Sequence, residues 1–317
     1  VKLILCAAAG HGAAMTALAN NQQPVRIRFS LEDGEIAGWC WANANAPALL
    51  FCHATGFCAS AYKQMLQQLS ADFDIYALDM RGHSRTSLPA DPGRLRSWRV
   101  YARDVGAFLN AHGAKRWILS GHSMGAIAVA LAAQARDDVD ALALIEPVAI
   151  PRALALAAST PLWRIIGPRS PMASRAARRW SRLETRDEVM QSYVGKKLFA
   201  DWAAGVLADY LEDGLTEAGE GAVRLACDPR WEAATFAALR APFAGMIARQ
   251  QAPVAIFAGR LGDTTMYPSA RRRSVREGAM LTESARLSHL APMQDPAACA
   301  EFIRKAAQNG LNPNVAN

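Results

Sequence analysis

Five short apolar runs, each bounded by turn or polar residues, limit what this chain can fold into more than any other feature. They lie at 47–54 (PALLFCHA), 73–79 (FDIYALD), 115–120 (KRWILS), 140–147 (DALALIEP) and 253–259 (PVAIFAG). Continuous apolar strands of this length suit positions covered on both faces of a sheet. Segments with helical patterning separate them, at 62–69, 97–112 and 124–135, and a last one follows at 296–307. Repeated strand-helix-strand units imply a mostly parallel sheet with helices on both sides. Residues 25–30 and 35–42 alternate apolar and polar around Glu32-Asp33-Gly34, which predicts an edge hairpin, and 278–283 predicts a final strand. The fold class is α/β.

Between 150 and 251 the alternation stops. Helical stretches are expected around 171–183, 187–212 and 229–249, because a structureless loop of about 100 residues is improbable in a compact domain. We therefore expect a core built from 25–149 and 252–317, with 150–251 inserted as a helical cap. Residues 1–24 form an N-terminal extension. Lys2, the apolar run 3–9 and Ala17-Leu18-Ala19 have some character of an export signal, but Gly10-His11-Gly12 interrupts the run. Met15 could be the natural start, with vector-encoded residues before it.

The net charge of +7 invites a nucleic-acid reading, yet the chain carries no zinc spacing, basic-region helix or basic-aromatic RNA-binding motif. Nor does any run of roughly 18 apolar residues suggest a membrane span. The six cysteines, Cys6, Cys40, Cys52, Cys58, Cys227 and Cys299, lack both CxxC spacing and the density of a disulfide scaffold. Reduced thiols and a cytoplasmic location are expected, with export as the alternative if residues 1–19 act as a signal.

The chemistry concentrates at Gly121-His122-Ser123-Met124-Gly125, where the run ending at 120 gives way to a series of small residues. Gly-x-Ser-x-Gly at a strand-to-helix turn holds a serine in a strained conformation, and small residues two before and two after let strand and helix pass. A serine hydroxyl needs a base. His289, after the last strand and before the final helix, lies where the chain returns to the carboxyl end of the sheet. His122 abuts the serine and is read as structural. Two carboxylates could fix the imidazole tautomer. Asp263, in the glycine-bearing loop after 253–259, is the first choice; Glu146, directly after 140–145, is the alternative. An oxyanion requires two preorganised donors. The backbone N–H groups of Thr55 and Met124 are expected to supply them, with Gly56 or Phe57 replacing Thr55 if the loop is shifted.

These motifs together resemble the α/β-hydrolase family over nearly the whole chain from Val25. The likeness rests on His53-Ala54-Thr55-Gly56-Phe57, Asp79-Met80-Arg81-Gly82-His83-Ser84, Gly121 to Gly125, Asp263, and His289 followed by Asp295-Pro296. It is nearest to capped serine carboxylesterases and lysophospholipase-like enzymes. Ala54 replaces a commoner glycine, and the acid loop is one residue longer than the usual Gly-x-x-Asp spacing. The resemblance implies an α/β-hydrolase fold and a Ser123–His289–Asp263 triad cleaving carboxylic esters of small molecules, with no metal or cofactor. It also implies that Asp79, Arg81 and His83 brace a loop. Thioesters, amides, perhydrolysis or acyl transfer remain open for the same triad, as does a non-catalytic binding protein. The cap tryptophans Trp163, Trp180, Trp202 and Trp231 are read mainly as packing residues, and the cap arginines as mostly solvated.

Overall fold

The computed structural model describes residues 3–5 and 23–311, apart from 114, 151, 180, 181, 184, 239–242, 244 and 262–264. Most of the N-terminal extension thus lies outside the described residues. A central sheet contains β1 (Leu3–Leu5), β2 (Val25–Leu31), β3 (Gly34–Trp41), β4 (Ala48–Cys52), β5 (Asp74–Leu78), β6 (Trp117–His122) and β7 (Val139–Ile145). The chain then leaves the sheet for a small second one: β8 (Arg182–Leu183), β9 (Leu215–Gly219) and β10 (Ala222–Leu225). It returns for β11 (Val254–Gly259) and β12 (Met280–Ser284). The order across the large sheet is β1-β2-β3-β5-β4-β6-β7-β11-β12. Pairings from β5 through β12 are parallel; β1, β2 and β3 add the antiparallel edge.

The apolar runs form strands because each residue finds a covered place on one face or the other. In β4, Leu50 and Cys52 join the core beneath the Arg99–Ala111 and Met124–Ala133 helices, while Leu49 and Phe51 join the core beneath Pro296–Leu311. All four are fully buried. Strand order reverses between β4 and β6, so the loops leaving these two strands open beside each other at the carboxyl end, where such sheets place ligands.

The inserted segment is less uniformly helical than its sequence pattern predicts. Its helices include Pro171–Ala177, Arg186–Val194, Val206–Gly214 and Pro229–Ala237. The expected helix 187–212 is split: a Thr185–Glu188 capping box starts Arg186–Val194, which stops at Gly195, and Gly205 (φ 83°) precedes the next helix. A β9–β10 hairpin stands in a segment where the pattern predicts only helices, with Gly219-Glu220-Gly221 at its turn.

Polar contacts join the Val206–Gly214 helix to the core. The buried Asp213 carboxylate accepts from Arg26 Nη1 (2.7 Å), Arg85 Nε (2.9 Å) and Trp39 Nε1 (3.0 Å). Lys63 pairs with Glu212 at 2.6 Å, and Ser60 Oγ donates to the Asp209 carbonyl at 2.7 Å. Burial opposes ionisation of Asp213, but the Arg85, Arg26 and Trp39 hydrogen bonds outweigh it and hold the carboxyl below 3.8. Removing one partner of a buried pair leaves the others uncompensated. Arg26 and Arg85 are partly exposed, so we expect Asp213→Ala to cost about 3 kcal/mol in urea unfolding, a loss moderated by solvent. Removing the exposed Arg28–Glu35 pair should cost under about 1 kcal/mol.

Candidate active site

β6 ends at His122, and the next helix begins at Met124. Ser123 between them has φ 56° and ψ −111°, a conformation that costs on the order of 1–3 kcal/mol for a non-glycine residue. Two neighbours hold it there: Ser123 N–H donates to the Ile145 carbonyl at 3.0 Å, and the Ser123 carbonyl accepts from Ile127 N–H at 3.4 Å. The tight approach explains the flanking glycines. A Cβ on Gly125 would lie 2.1 Å from the Cys52 carbonyl oxygen, and one on Gly121 would lie 2.5 Å from the Gly125 carbonyl carbon.

Ser123 Oγ lies 3.0 Å from His289 Nε2, and His289 Nδ1 lies 3.0 Å from Glu146 Oε2. For Nε2 to accept the serine proton, Nδ1 must carry the ring hydrogen and donate it to the carboxylate. Glu146 leaves the end of β7 with φ 45°, a second strained non-glycine position at the same end of the sheet. Its side chain is fully buried and accepts from Gly259 N–H at 2.6 Å and from Thr265 N–H at 3.2 Å. The Thr265 hydroxyl is 3.1 Å from the Glu146 carbonyl oxygen. The first-choice acid, Asp263, lies outside the described residues.

The loop after β4 has its amides assigned one by one. Ala54 N–H donates to Tyr62 Oη (3.1 Å), Gly56 N–H to His83 Nε2 (3.0 Å) and Phe57 N–H to the Ala54 carbonyl (3.1 Å). Gly56 and Phe57, the alternative donors, are thereby committed elsewhere. Thr55 N–H has no partner among the described residues. Met124, as the first residue of its helix, has an amide free of intrahelical bonding.

Three neutral histidines brace this arrangement. His53 Nδ1–H donates to the Ala54 carbonyl at 2.7 Å, and Nε2 accepts from Met80 N–H at 2.9 Å. His83 Nδ1–H donates to the Arg81 carbonyl at 3.0 Å while Nε2 holds Gly56. His122 Nε2–H donates to the His289 carbonyl (2.7 Å), and its Nδ1 accepts from Tyr62 O–H (2.7 Å). Ala54, Tyr62, His122 and the backbone of His289 are thus linked in one hydrogen-bonded line. Nothing in the sequence pattern singled out Tyr62, because a phenol at the start of an amphipathic segment reads as core. Burial, reinforced by neighbouring imidazoles, holds His53 and His122 well below 6.5, and burial takes His83 to about 4. Nearby, Arg81 forms a bidentate pair with Asp104 (2.8 and 2.7 Å), and Asp79 Oδ1 accepts from Ala59 N–H at 2.8 Å.

The inserted segment meets the same loop. Tyr210 Oη–H donates to the Gly56 carbonyl at 3.4 Å, and Trp231 Nε1–H donates to the Arg81 carbonyl at 3.0 Å. Arg179 pairs with Glu232 at 2.6 Å beside Gly56 and Phe57. Phe57 and Tyr210 both lie against Trp202.

The family model described as the alpha/beta hydrolase fold matches residues 47–210, just over half of the chain. No curated protein matches it. Solved structures are similar over most of its length. E-2-(acetamidomethylene)succinate hydrolase is 19% identical with a TM-score of 0.74, over 90% of this chain and 99% of that one. The thioesterase domain from the curacin biosynthetic pathway is 16% identical with a TM-score of 0.69, over 89% and 99%. The enol-lactonase from Burkholderia xenovorans LB400 is 18% identical with a TM-score of 0.62, over 88% and 98%.

The buried imidazoles make stability depend on pH. The unfolded chain binds protons at His53, His83 and His122 that the folded chain refuses, so stability rises with pH in that window. This contribution is complete above about pH 6.5 and is lost as pH falls toward the His83 value of about 4. Burial raises Asp79 to about 6, which acts in the opposite direction below that pH and cancels one proton. We expect the urea unfolding free energy to fall between pH 7 and pH 5, with a slope of at most about 1.4 kcal/mol per pH unit for each uncompensated imidazole. A flat profile would contradict neutral buried histidines.

Proposed function

Because this chain belongs to the alpha/beta-hydrolase fold family, we propose that it is a serine hydrolase cleaving carboxylic esters of small molecules through an acyl-enzyme. The observation that carries the reading is the continuous line Ser123 Oγ, His289 Nε2, His289 Nδ1, Glu146 Oε2, with 3.0 Å at each gap. His289 takes the Ser123 proton as Oγ attacks the ester carbonyl carbon, and the Thr55 and Met124 amides receive the oxyanion. Collapse of the tetrahedral intermediate expels the alcohol, which leaves with the proton from Nε2. Water then attacks the acyl carbon as His289 takes its proton, and the second collapse releases the carboxylic acid while Nε2–H returns that proton to the departing Ser123 Oγ.

For the acid we propose Glu146, supported by its contact with Nδ1 and by the Gly259 and Thr265 amides that aim its carboxylate. Segment 150–251 acts as the cap, supported by the contacts of Tyr210 and Arg179 with the loop that carries Thr55. The similar structures are named for an acetamidomethylene-succinate hydrolase, a thioesterase and an enol-lactonase, so thioesters and amides belong in the substrate panel beside esters. The unpaired buried cysteines among the described residues support a cytoplasmic location.

Ser123→Ala and His289→Ala should each lower kcat/KM on a short-chain aryl ester by on the order of 10³-fold or more. Full activity in either variant would overturn the assignment. Glu146→Gln and Asp263→Asn, compared side by side, decide the acid. The glutamine variant should lose on the order of 10²-fold or more, and a loss confined to Asp263→Asn would transfer the role.

A further inference from the structure

Residues 152–182 contain seven arginines and no lysine, histidine, aspartate or glutamate. The remainder of the chain carries 28 basic and 28 acidic residues, so the whole net charge of +7 resides in this one segment. Its apolar residues are unusual as well. Among the described residues thirteen large hydrophobics are exposed, and six of them, Leu154, Leu156, Leu162, Ile165, Ile166 and Met172, fall within nineteen consecutive positions. Leu156, Leu162 and Ile165 are 63%, 59% and 58% exposed, which sets them apart from side chains that merely edge a core.

Packing explains which side faces out. The buried residues of these short helices are small: Ala155, Ala158, Gly167, Ala173 and Ala176. Trp163 turns inward and donates its indole N–H to the Ala237 carbonyl at 2.8 Å. With small residues turned inward, leucine, isoleucine, methionine and arginine are left to the outer side. Arg164, Arg169, Arg175 and Arg178 are exposed there and form no ion pair among the described residues. Arg179, by contrast, is matched by Glu232.

We propose that this outer side of the inserted segment docks on an anionic lipid surface. Exposed apolar side chains interspersed with unpaired arginines and free of acidic residues match a bilayer boundary, where alkyl groups enter the acyl region and guanidiniums meet lipid phosphates. Charge complementarity selects this occupant. A second copy of the chain meeting the same surface across a two-fold axis would set arginines against arginines. Docking is reversible and peripheral; no helix among the described residues is long and apolar enough to cross a membrane.

The test is co-sedimentation of the Ser123→Ala protein with vesicles, which separates binding from turnover. Phosphatidylcholine vesicles with and without phosphatidylglycerol serve as the two surfaces. The protein should bind the phosphatidylglycerol vesicles, lose affinity as salt rises, and bind pure phosphatidylcholine at least tenfold more weakly. Arg164→Gln/Arg169→Gln/Arg175→Gln should weaken binding to the anionic vesicles roughly 100-fold, taking about fivefold per arginine. Leu162→Ser/Ile165→Ser should weaken it more than tenfold. These positions are exposed, so circular dichroism and thermal midpoint should remain those of the parent. A variant with the same charge change elsewhere, Arg272→Gln/Arg273→Gln/Arg276→Gln, should alter binding by less than about threefold. The proposal is overturned if anionic vesicles are not bound at low salt, or if both surfaces bind equally. Equal loss in the Arg272 variant would overturn it too, since net charge alone would then account for binding. So would a concentration-dependent dimer in sedimentation velocity that the Leu162→Ser/Ile165→Ser change abolishes.

Discussion

The approach of the Met124–Ala133 helix to the backbone of β4 is the contact on which the rest of the site depends. With Gly125 set against the Cys52 carbonyl, the helix can begin immediately after β6, and Ser123 has no room for ordinary strand or helix geometry. The resulting strain is offset by a helix buried along nearly its whole length, in which Ala126, Ala128 and Ala130 pack without side-chain entropy to lose. The same approach places the first amides of the helix beside the loop that follows β4. One backbone crossing thus determines where the hydroxyl sits and which amides surround it.

A second strained residue, Glu146, stands at the end of the neighbouring strand. Its carboxylate is held by the Gly259 and Thr265 amides, so the β11 loop orients a side chain that β7 supplies. On the opposite side, His122 ties the His289 backbone through Tyr62 to Ala54. Buried imidazoles that titrate far below neutral pH are well suited to this work, because each offers one donor and one acceptor of fixed direction. The loop after β4 and the backbone of His289 are therefore tied by hydrogen bonds through neutral imidazoles and Tyr62, while charged groups act beside them, the Glu146 carboxylate on the β11 loop and the Arg179–Glu232 pair next to Gly56.

Local rules explain why some features were legible in the sequence. The core strands are uninterrupted apolar runs, and Gly121 and Gly125 flank Ser123 for a steric reason that any such turn imposes. His289 could be located by its place after the last strand, and the structure brings it to 3.0 Å from Ser123. The sequence leaves Glu146 and Asp263 in competition because both carboxylates follow strands that end at the same edge; the structure puts Glu146 at 3.0 Å from His289, while Asp263 lies outside the described residues. Tyr62 and the bracing role of His122 depend on contacts between residues 60 positions apart, which no local pattern encodes. The β9–β10 hairpin leaves little sequence signal, because its alternation covers only a few residues beside helical sequence. Exposed apolar residues in the inserted segment look like core on a helical pattern, and only their neighbours show that they face outward.

The central claim is that Ser123 is an activated nucleophile. Incubating the intact protein with a fluorophosphonate and weighing it tests that claim directly, with Ser123→Ala as the control. One covalent adduct should form on the parent protein and none on the variant. An unmodified parent whose folding is verified, or an adduct that persists in the alanine variant, would contradict it.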